Sequence, residues 1–411
     1  MRRVAITGIG LVSPLGNTCA EALANATAGR SAVGRLETPW ADRVAAPLAA
    51  CVCLKGEDHF PPPRLRMLDR VSQLALVATQ QAVADSGLDL AAADRDRIGV
   101  FIGSGMGGTL STDEGYLSLY RDGSERVKPF SVLTGMTNAP AAWIGIEYDL
   151  RGPNLTYSTA CSSATVSIGE AWLRLRRGEI DLAIAGGAEA PLSFGAMKAW
   201  EALRTLAIED PDDPSTSCKP FAANRSGLVL GEGAAILVLE DWARAVARGA
   251  SIRGELLGYG LATDASHITR PTVEGQAAAM RAALRSGEIA ADDIDSINAH
   301  GTGTQANDSV ETAAIKEVFG ERAYRIPVSA TKAIHGHLLG ASGALELALA
   351  LLALQQDVLL PTMHLNVRAE DCDLDYVPNQ ARHGCGAQTV MSSSFAFGGT
   401  NAVLVGAAGV V

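Results

Sequence analysis

Short apolar runs alternate with longer amphipathic segments along most of this chain. Runs of about five apolar residues are typical of buried strands, whereas the longer segments repeat apolar residues at the period of a helix. Strands separated by helices predict an α/β protein with a buried sheet. The apolar runs are RRVAITGIG, DRIGVFIGSG, IDLAIAGGAEA and GEGAAILVLED, and the amphipathic segments are RVSQLALVATQQAVADSG, ATVSIGEAWLRLRRG and GALELALALLALQQ.

Two pairs of segments in different parts of the chain resemble each other. Residues 156–177 and 331–354 each lead from a loop with a chemically reactive residue into a helix of small residues. RIGVFIGSG and SINAHGTGT both look like a strand followed by a glycine-rich loop. This internal similarity predicts two similar α/β halves, residues 1–250 and 251–411, related by a pseudo-twofold axis.

Composition fits a globular protein and excludes some partners. Of 411 residues, 47% are hydrophobic and 19% are charged, enough apolar material for a large core. Aromatic residues make up 5% and glycine is abundant, so small residues are expected to pack closely. The net charge of −11 argues against general binding to nucleic acids or anionic membranes.

The cysteines and the apolar runs indicate a cytoplasmic location. The count of 7 is odd, and Cys51 and Cys53 form a C-x-C without a second pair, so neither a disulfide framework nor a metal site is predicted. We therefore expect reduced thiols. The longest apolar segment contains Glu346, which argues against a transmembrane helix.

The sequence GSGMGG at 103–108 matches G-x-G-x-x-G and follows a predicted strand. A dinucleotide site would also need an acidic residue at the end of a second strand about 20 residues later. No such strand follows. A tight loop in which glycine permits positive φ is therefore the favoured interpretation.

Cys161 lies in YSTACSSATVSIG, a run of small residues at the start of a predicted helix. Free cysteines are usually buried and inert. A cysteine at a helix N-terminus, however, faces the positive end of the helix dipole, which favours the thiolate. The position therefore predicts a nucleophile with a lowered pKa and no dedicated base.

Three further motifs could complete a site around this thiol. NAHGTGT places His300 after a strand, SATKAIHGHLLGASGALE carries Lys332, His335 and His337, and SSSFAFGGTN joins two strands through a Phe-Gly-Gly turn. Each motif alone is a common structural feature, and the H-x-H pair lacks a third metal ligand at a recognised spacing. Together, two ring N–H donors and backbone N–H groups could stabilise an enolate and an oxyanion beside a thiolate.

These motifs, in this order, resemble the β-ketoacyl-acyl carrier protein synthases, most closely the elongating synthase II type. The resemblance runs from VAITGIGLVSPLG to FGGTNAVL and so covers nearly the whole chain. It implies the thiolase fold, two similar α/β halves in a layered αβαβα arrangement. It also implies decarboxylative Claisen condensation of an acyl group with a malonyl-carrier, in fatty-acid or polyketide chain elongation, without a free cofactor or metal. Substrates would be carried on phosphopantetheine.

The resemblance also implies catalytic roles. Cys161 would accept the acyl chain, and His300 and His337 would promote decarboxylation and stabilise the enolate. Lys332 would pair with Glu346 to orient the site. Phe397 would act as a gate whose backbone N–H joins that of Cys161 in the oxyanion hole, and the glycines after it, Gly398 and Gly399, would let it move.

Substrate contacts follow from the same resemblance. Thr302 and Thr304, with Thr269, would hydrogen-bond the phosphopantetheine arm, and Met106 falls at an acyl-pocket position. Two departures from the family pattern, Ser162-Ser163 after the nucleophile and His335, favour a specialised or polyketide-type substrate.

An acyl carrier protein is the expected partner, with the chain forming a homodimer or a heterodimer with a chain-length partner. Because carrier proteins are acidic, docking needs a local cationic surface on this acidic chain. Arg66 and Arg126 fall at carrier-binding positions of the family. The neighbouring candidate residues are Arg64, Arg70, Arg121 and Lys128.

Other functions are less favoured. A catalytically silent chain-length partner would lack the nucleophile, and a degradative thiolase would carry a second cysteine near the C-terminal glycine-rich turn, where this chain has Phe397. An initiating synthase would carry Asn in place of His337. A Cys/His hydrolase would need neither a second histidine nor the lysine.

Overall fold

A computed structural model of the chain describes residues 1–90 and 92–409. The strands are β1 (Val4–Val12), β2 (Val33–Arg35), β3 (Leu48–Ala50), β4 (Ile98–Gly103), β5 (Asn154–Tyr157), β6 (Leu182–Glu189), β7 (Leu230–Gly231), β8 (Gly233–Asp241), β9 (Gly254–Thr263), β10 (Ser296–Asn298), β11 (Val328–Ser329), β12 (Val358–Leu359), β13 (Arg382–His383), β14 (Thr389–Phe395) and β15 (Thr400–Ala408). The helices are α1 (Cys19–Thr27), α2 (Pro62–Leu65), α3 (Arg70–Ser86), α4 (Thr109–Tyr120), α5 (Ser131–Gly135), α6 (Ala139–Tyr148), α7 (Ser163–Arg176), α8 (Phe194–Ala202), α9 (Trp242–Ala247), α10 (Val273–Gly287), α11 (Gln305–Phe319), α12 (Lys332–His335) and α13 (Ser342–Gln355).

The main sheet consists of two sets of strands with the same topology. Its 10 strands run in the order β11-β10-β14-β15-β9-β1-β8-β6-β4-β5. Counted in chain order within each set, both sets read 1-5-4-2-3 outward from the centre, with matching antiparallel and parallel pairs. The predicted internal similarity is therefore a similarity of topology. The division at residue 250 stays a prediction, because β1 and β9 pair and the sheet continues through both sets.

Helices cover the two sets of strands in layers. Helices α3 and α6 pack on the outer face of one set, and α10 and α11 on the outer face of the other. The small-residue helices α7 and α13 lie between the sets and contact both. This αβαβα order confirms the predicted layered α/β fold. It also brings the N-terminal ends of α7 and α13 together at the centre of the molecule.

Glycines in equivalent strands let the outer helices pack closely. A Cβ atom on Gly8 of β1 would overlap the carbonyl oxygen of Ala82 in α3. In the other half, a Cβ atom on Gly258 of β9 would overlap the carbonyl oxygen of Ala283 in α10. Close packing of this kind is what the high glycine content indicates.

Candidate active site

Cys161 lies in a single 3-10 turn, Ala160–Ser162, directly before α7. Ala160 has φ 51°, a left-handed conformation that is costly for a residue with a Cβ atom. Serine side chains close this turn, since the Ser163 hydroxyl donates to the Ala160 carbonyl oxygen at 2.6 Å and accepts from the Thr159 N–H at 2.9 Å. The Ser162 hydroxyl donates to the Thr159 carbonyl oxygen at 2.9 Å, so both serines support the nucleophile turn, which gives a structural reason for this departure from the family pattern.

Burial dominates the electrostatics of the nucleophile. Desolvation raises the pKa of the Cys161 thiol to about 11, although the charge of Lys332 and a backbone hydrogen bond from Phe397 act in the opposite direction. The sequence prediction of a lowered thiol pKa is therefore wrong. The helix N-terminus is present, but removing the thiol from water costs the thiolate more than the local dipole returns.

His337 contacts the thiol directly. Its Nε2 lies 3.0 Å from Cys161 Sγ, and its Nδ1 accepts a hydrogen bond from the Leu339 N–H at 3.2 Å. Because Nδ1 is an acceptor, the ring proton of the neutral imidazole lies on Nε2 and faces the sulfur. Burial, aided by the charge of Lys332, lowers the pKa of His337 well below its usual value, so the ring stays neutral.

His300 is held in the same tautomer by Lys332. The Lys332 Nζ donates to the His300 carbonyl oxygen at 2.6 Å and lies 3.4 Å from His300 Nδ1, which leaves the ring proton on Nε2. Burial lowers the pKa of His300 in the same way, followed by the charge of Lys332. Lys332 also forms a buried ion pair with Glu346. Two neutral Nε2–H groups thus accompany one thiol.

A metal ion is an alternative occupant of these three groups. Cys161 Sγ and ring nitrogens of His300 and His337 lie within 4.8 Å of one another, close enough for three ligands of one ion. The Lys332 ammonium beside His300 Nδ1, however, would repel a second cation. We therefore interpret the cluster as a nucleophile with two hydrogen-bond donors, and the absence of a metal stays a prediction.

Most of the proposed substrate contacts line one pocket that opens from Cys161. The hydroxyls of Thr302 and Thr304 lie 2.9 Å apart on its wall, and Thr304 also caps α11. Phe397 stacks on Trp200 at a ring separation of 6.0 Å. The predicted residues on this wall are Cys161, His300, His337, Thr302, Thr304, Thr269, Phe397 and Gly399.

Two predicted positions, Met106 and Gly398, lie beside the pocket wall, and Gly399 lies on it. Met106 packs in the same apolar cluster as Cys161 and Leu339. Gly398 is exposed, and its N–H donates to the Ile268 carbonyl oxygen at 2.7 Å. Gly399 has φ 77°, which only glycine adopts easily, so the predicted hairpin turn between β14 and β15 is confirmed. The gating role stays a prediction.

The predicted basic residues fall into three groups. Arg70 lines the same surface groove as Arg66 and Arg126, but its guanidinium already donates to Glu232 at 2.7 Å and to the Val52 and Leu54 carbonyl oxygens at 2.9 and 3.0 Å, so its role in docking stays a prediction. These partners of Arg70 were not foreseeable from the charge pattern, because they are distant in sequence. Three others pair at the surface, namely Arg64 with Glu147, Arg121 with Asp122 and Lys128 with Glu114.

Arg66 and Arg126 are exposed, and among the described residues neither guanidinium has a hydrogen-bond or ion-pair partner; both line a second groove on the surface. They lie far apart in sequence on α2's C-terminal cap and on the loop after α4. The fold thus brings together the two arginines that the resemblance singled out.

Sequence reasoning missed two buried carboxylates. Glu189 accepts backbone N–H groups of Gly105, Met106 and Gly340 at 2.6, 3.0 and 2.9 Å, and Glu311 accepts those of His300 and Gly301 at 2.7 and 2.9 Å. Burial raises the pKa of both to about 7. The sequence did offer a sign of them, since Glu189 is an acidic residue at the end of an apolar strand and Glu311 is one within a helix.

The contacts of Glu189 also bear on the GSGMGG loop. The loop's N–H groups at Gly105 and Met106 already bind this carboxylate, so they do not form an empty cradle for phosphate.

His335, the other unusual residue, is fully buried. Its Nδ1 donates to the Gly336 carbonyl oxygen at 2.7 Å, and its Nε2 accepts from the Thr331 hydroxyl at 2.9 Å, so it braces the loop before His337.

Comparison with known proteins supports this interpretation of the site. A family model described as β-ketoacyl synthase, N-terminal domain, matches residues 1–245, and one described as β-ketoacyl synthase, C-terminal domain, matches residues 253–366. Nodulation protein E of Rhizobium meliloti (strain 1021) is 41% identical over 403 residues, 98% of each chain. The 3-oxoacyl-[acyl-carrier-protein] synthase 2 of Staphylococcus aureus (strain COL) is 41% identical over 410 residues, again 98% of each.

Solved structures agree with these matches. A chain of the complex between a type II polyketide synthase acyl-carrier protein and its ketosynthase aligns with a TM-score of 0.91 and 30% identity, covering 99% of both chains. The layered topology, the Cys-His-His cluster and the family matches along the chain lead to one conclusion. The chain belongs to the β-ketoacyl synthase family, has the thiolase fold, and is a condensing enzyme.

Proposed function

We propose that the chain condenses an acyl group held on Cys161 with malonyl-acyl carrier protein to give 3-oxoacyl-carrier and CO2. In the first half-reaction Sγ attacks the acyl-carrier thioester, a new C–S bond forms, and the carrier leaves as a thiol with the proton that Cys161 held. In the second, the malonyl C–C bond breaks to release CO2, and the enolate attacks the Cys161 thioester. The C–S bond then breaks, and a proton from solvent restores the thiol.

The observation that carries this proposal is the pair of Nε2–H groups beside the thiol. Decarboxylation places negative charge on the thioester oxygen of the malonyl-carrier, and preorganised neutral donors stabilise such charge. His300 and His337 are neutral because burial lowers the pKa of each ring. We assign them as the enolate donors, with Lys332 and Glu346 as positioning residues behind them.

The remaining roles depend on the pocket. We assign the Phe397 and Cys161 backbone N–H groups to the oxyanion hole, because a Phe397 backbone hydrogen bond already reaches the thiol. Thr302, Thr304 and Thr269 would bind the pantetheine arm along the pocket wall. Met106 would border the acyl chain, because it packs in the apolar cluster that contains Cys161.

Two other activities are disfavoured by the same site. A silent chain-length partner would have no use for the thiol that contacts His337. A degradative thiolase would need a second thiol, and among the described pocket residues Cys161 is the sole cysteine. Fatty-acid and polyketide elongation stay open, since a 3-oxoacyl-[acyl-carrier-protein] synthase 2 is 41% identical and a type II polyketide ketosynthase chain is 30% identical to this one.

Acylation of Cys161 tests the proposal. We expect incubation with hexanoyl-acyl carrier protein to add one acyl mass to the intact chain, and Cys161→Ala to abolish the adduct. Cys218→Ala, which removes another buried cysteine outside the pocket, is the matched control and should still be acylated. An adduct that persists in Cys161→Ala would overturn the assignment.

An acyl carrier protein is the partner that this chemistry requires. We propose that Arg66 and Arg126 bind its acidic surface at the second groove. Reversing both to Glu is expected to raise the KM for acyl-carrier several-fold, and added salt should weaken the parent in the same way. Arg30→Glu with Arg325→Glu is the control for total charge. An equal rise in the control pair would place the docking surface elsewhere.

The sheet edge gives a surface for a second subunit. Strand β5 ends the main sheet with exposed residues, and Ile146 on α6, the helix that packs against β5, is 69% exposed. Open edge strands and exposed apolar side chains favour association. We propose a dimer, with either an identical chain or a related one, and a cytoplasmic location.

A further inference from the structure

The loop between β9 and α10 brings an arginine without a partner to the pocket that opens from Cys161. Arg270 lines this pocket together with Thr302 and Thr304, and it is exposed. Within residues 1–90 and 92–409 it makes no hydrogen bond or ion pair. The other cation of the site, Lys332, is buried and committed to Glu346. Arg270 is therefore the free positive charge on the pocket wall.

The backbone around Arg270 is fixed even though its side chain is free. Two residues before it, the Ile268 carbonyl oxygen accepts the Gly398 N–H at 2.7 Å. Asp264, the acidic residue of this wall, accepts the Thr272 hydroxyl and the Asn401 amide, both at 2.8 Å. These two donors occupy Oδ1 of Asp264, and Asp264 forms no ion pair with Arg270. The charge of the Arg270 guanidinium is therefore available to a ligand.

The start of α10 adds to this positive potential. The helix spans 15 residues from Val273, and the Thr272 side chain caps its N-terminus. The positive end of its dipole lies directly after Arg270 in the chain. Glu274 in the first turn is exposed and forms no ion pair with Arg270 among the described residues. Arg270 and the helix end thus favour an anion at the same wall.

We propose that Arg270 binds the phosphate of the phosphopantetheine arm. This inference rests on the proposed function, which places the thioester at Cys161 and the uncharged part of the arm along Thr302 and Thr304. The phosphodiester at the carrier end is the charged group of the arm, and it must stay nearer the surface than the thioester. A planar guanidinium suits it, because two parallel N–H groups can bind two phosphate oxygens.

The test compares two small thioesters that differ only in this phosphate. Hexanoyl-phosphopantetheine and hexanoyl-pantetheine are each incubated with the protein, and acylation of Cys161 is followed by intact mass. In Arg270→Gln, the rate ratio that favours the phosphorylated compound is expected to fall about tenfold, as for loss of a charge-assisted hydrogen bond at a partly open site. Arg270→Lys should retain part of the preference.

A binding measurement separates this inference from the proposed reaction. Calorimetric titration with phosphopantetheine and with pantetheine needs no chemistry, and the parent should bind the phosphorylated compound more tightly. Arg285→Gln, at the other end of α10 and also exposed, is the matched control and should keep that preference. An equal affinity of the parent for both compounds would overturn the role of Arg270.

Two further outcomes have definite meanings. If Arg270→Gln weakens only the reaction with a complete carrier protein, Arg270 contacts the protein surface and the phosphate assignment is wrong. If the phosphate preference is found in binding and lost in Arg270→Gln while neither thioester acylates Cys161, the phosphate site stands and the proposed condensation fails.

Discussion

The two halves of the molecule share a backbone plan and divide the chemistry between them. In the first half the turn Ala160–Ser162 precedes α7, and in the second the turn Leu339–Ala341 precedes α13. The backbone match extends to conformation, since Ala160 has φ 51° and Leu339 φ 43°. The first turn presents Cys161, whereas the second presents Gly340, whose N–H binds Glu189. The same local structure thus positions a nucleophile in one half and a structural contact in the other.

The glycine-rich loops show the same relation. The loop after β4 donates N–H groups to buried Glu189, and the loop after β10 donates N–H groups to buried Glu311. Only the second loop carries a reactive side chain, His300. The loops after β4 and β10 thus have nearly the same backbone structure. The difference in chemistry between the two halves comes from which side chain occupies the shared turn.

The largest effect is expected from breaking the charge pair between Lys332 and Glu346, which lies behind His300. Lys332→Met leaves Glu346 buried without its cation, so we expect the free energy of unfolding to fall by about 3–5 kcal/mol. Urea unfolding measures this. Lys128→Met, which breaks the exposed pair with Glu114, is the control and should cost less than about 1 kcal/mol. Equal losses in the two variants would contradict the assigned burial.

A smaller effect sharpens the comparison of the two halves. Gly8→Ala and Gly258→Ala each push a methyl group against an outer helix, so each should lower the free energy of unfolding by about 1–3 kcal/mol. Gly115→Ala, on open space within α4, is the control and should not destabilise. A large loss in one half alone would argue against equivalent helix packing.

The smallest effect concerns the thiol itself. Because burial raises the pKa of Cys161 to about 11, alkylation by iodoacetamide should speed up about tenfold per pH unit from pH 7 to 9, as the thiolate fraction does. Mass spectrometry of the Cys161 peptide separates it from the exposed Cys51, Cys53 and Cys385. An alkylation rate that levels off below pH 8 would show instead that the pKa of the Cys161 thiol is lowered.

Local features were predictable from the sequence, and long-range ones were not. The helix predicted from RVSQLALVATQQAVADSG forms as α3, because Asp69 caps its start and Gly87, with φ 59°, ends it. The placement of His300 and His337 in loops was also predictable, because strand-like runs and glycines flank both residues in the sequence. Arg70, Glu189 and the thiol pKa could not be read in this way, because each depends on partners or burial supplied by distant segments.

The central claim is that Cys161 carries the acyl group while His300 and His337 act on the malonyl group. The direct measurement uses His300→Ala and His337→Ala, acyl-carrier and malonyl-carrier labelled in the departing carboxylate. We predict that both variants still acquire one acyl mass but release labelled CO2 about 10²–10³ times more slowly, the cost of losing one oxyanion donor. CO2 release near the parent rate in either variant, or loss of acylation in both, would contradict the account.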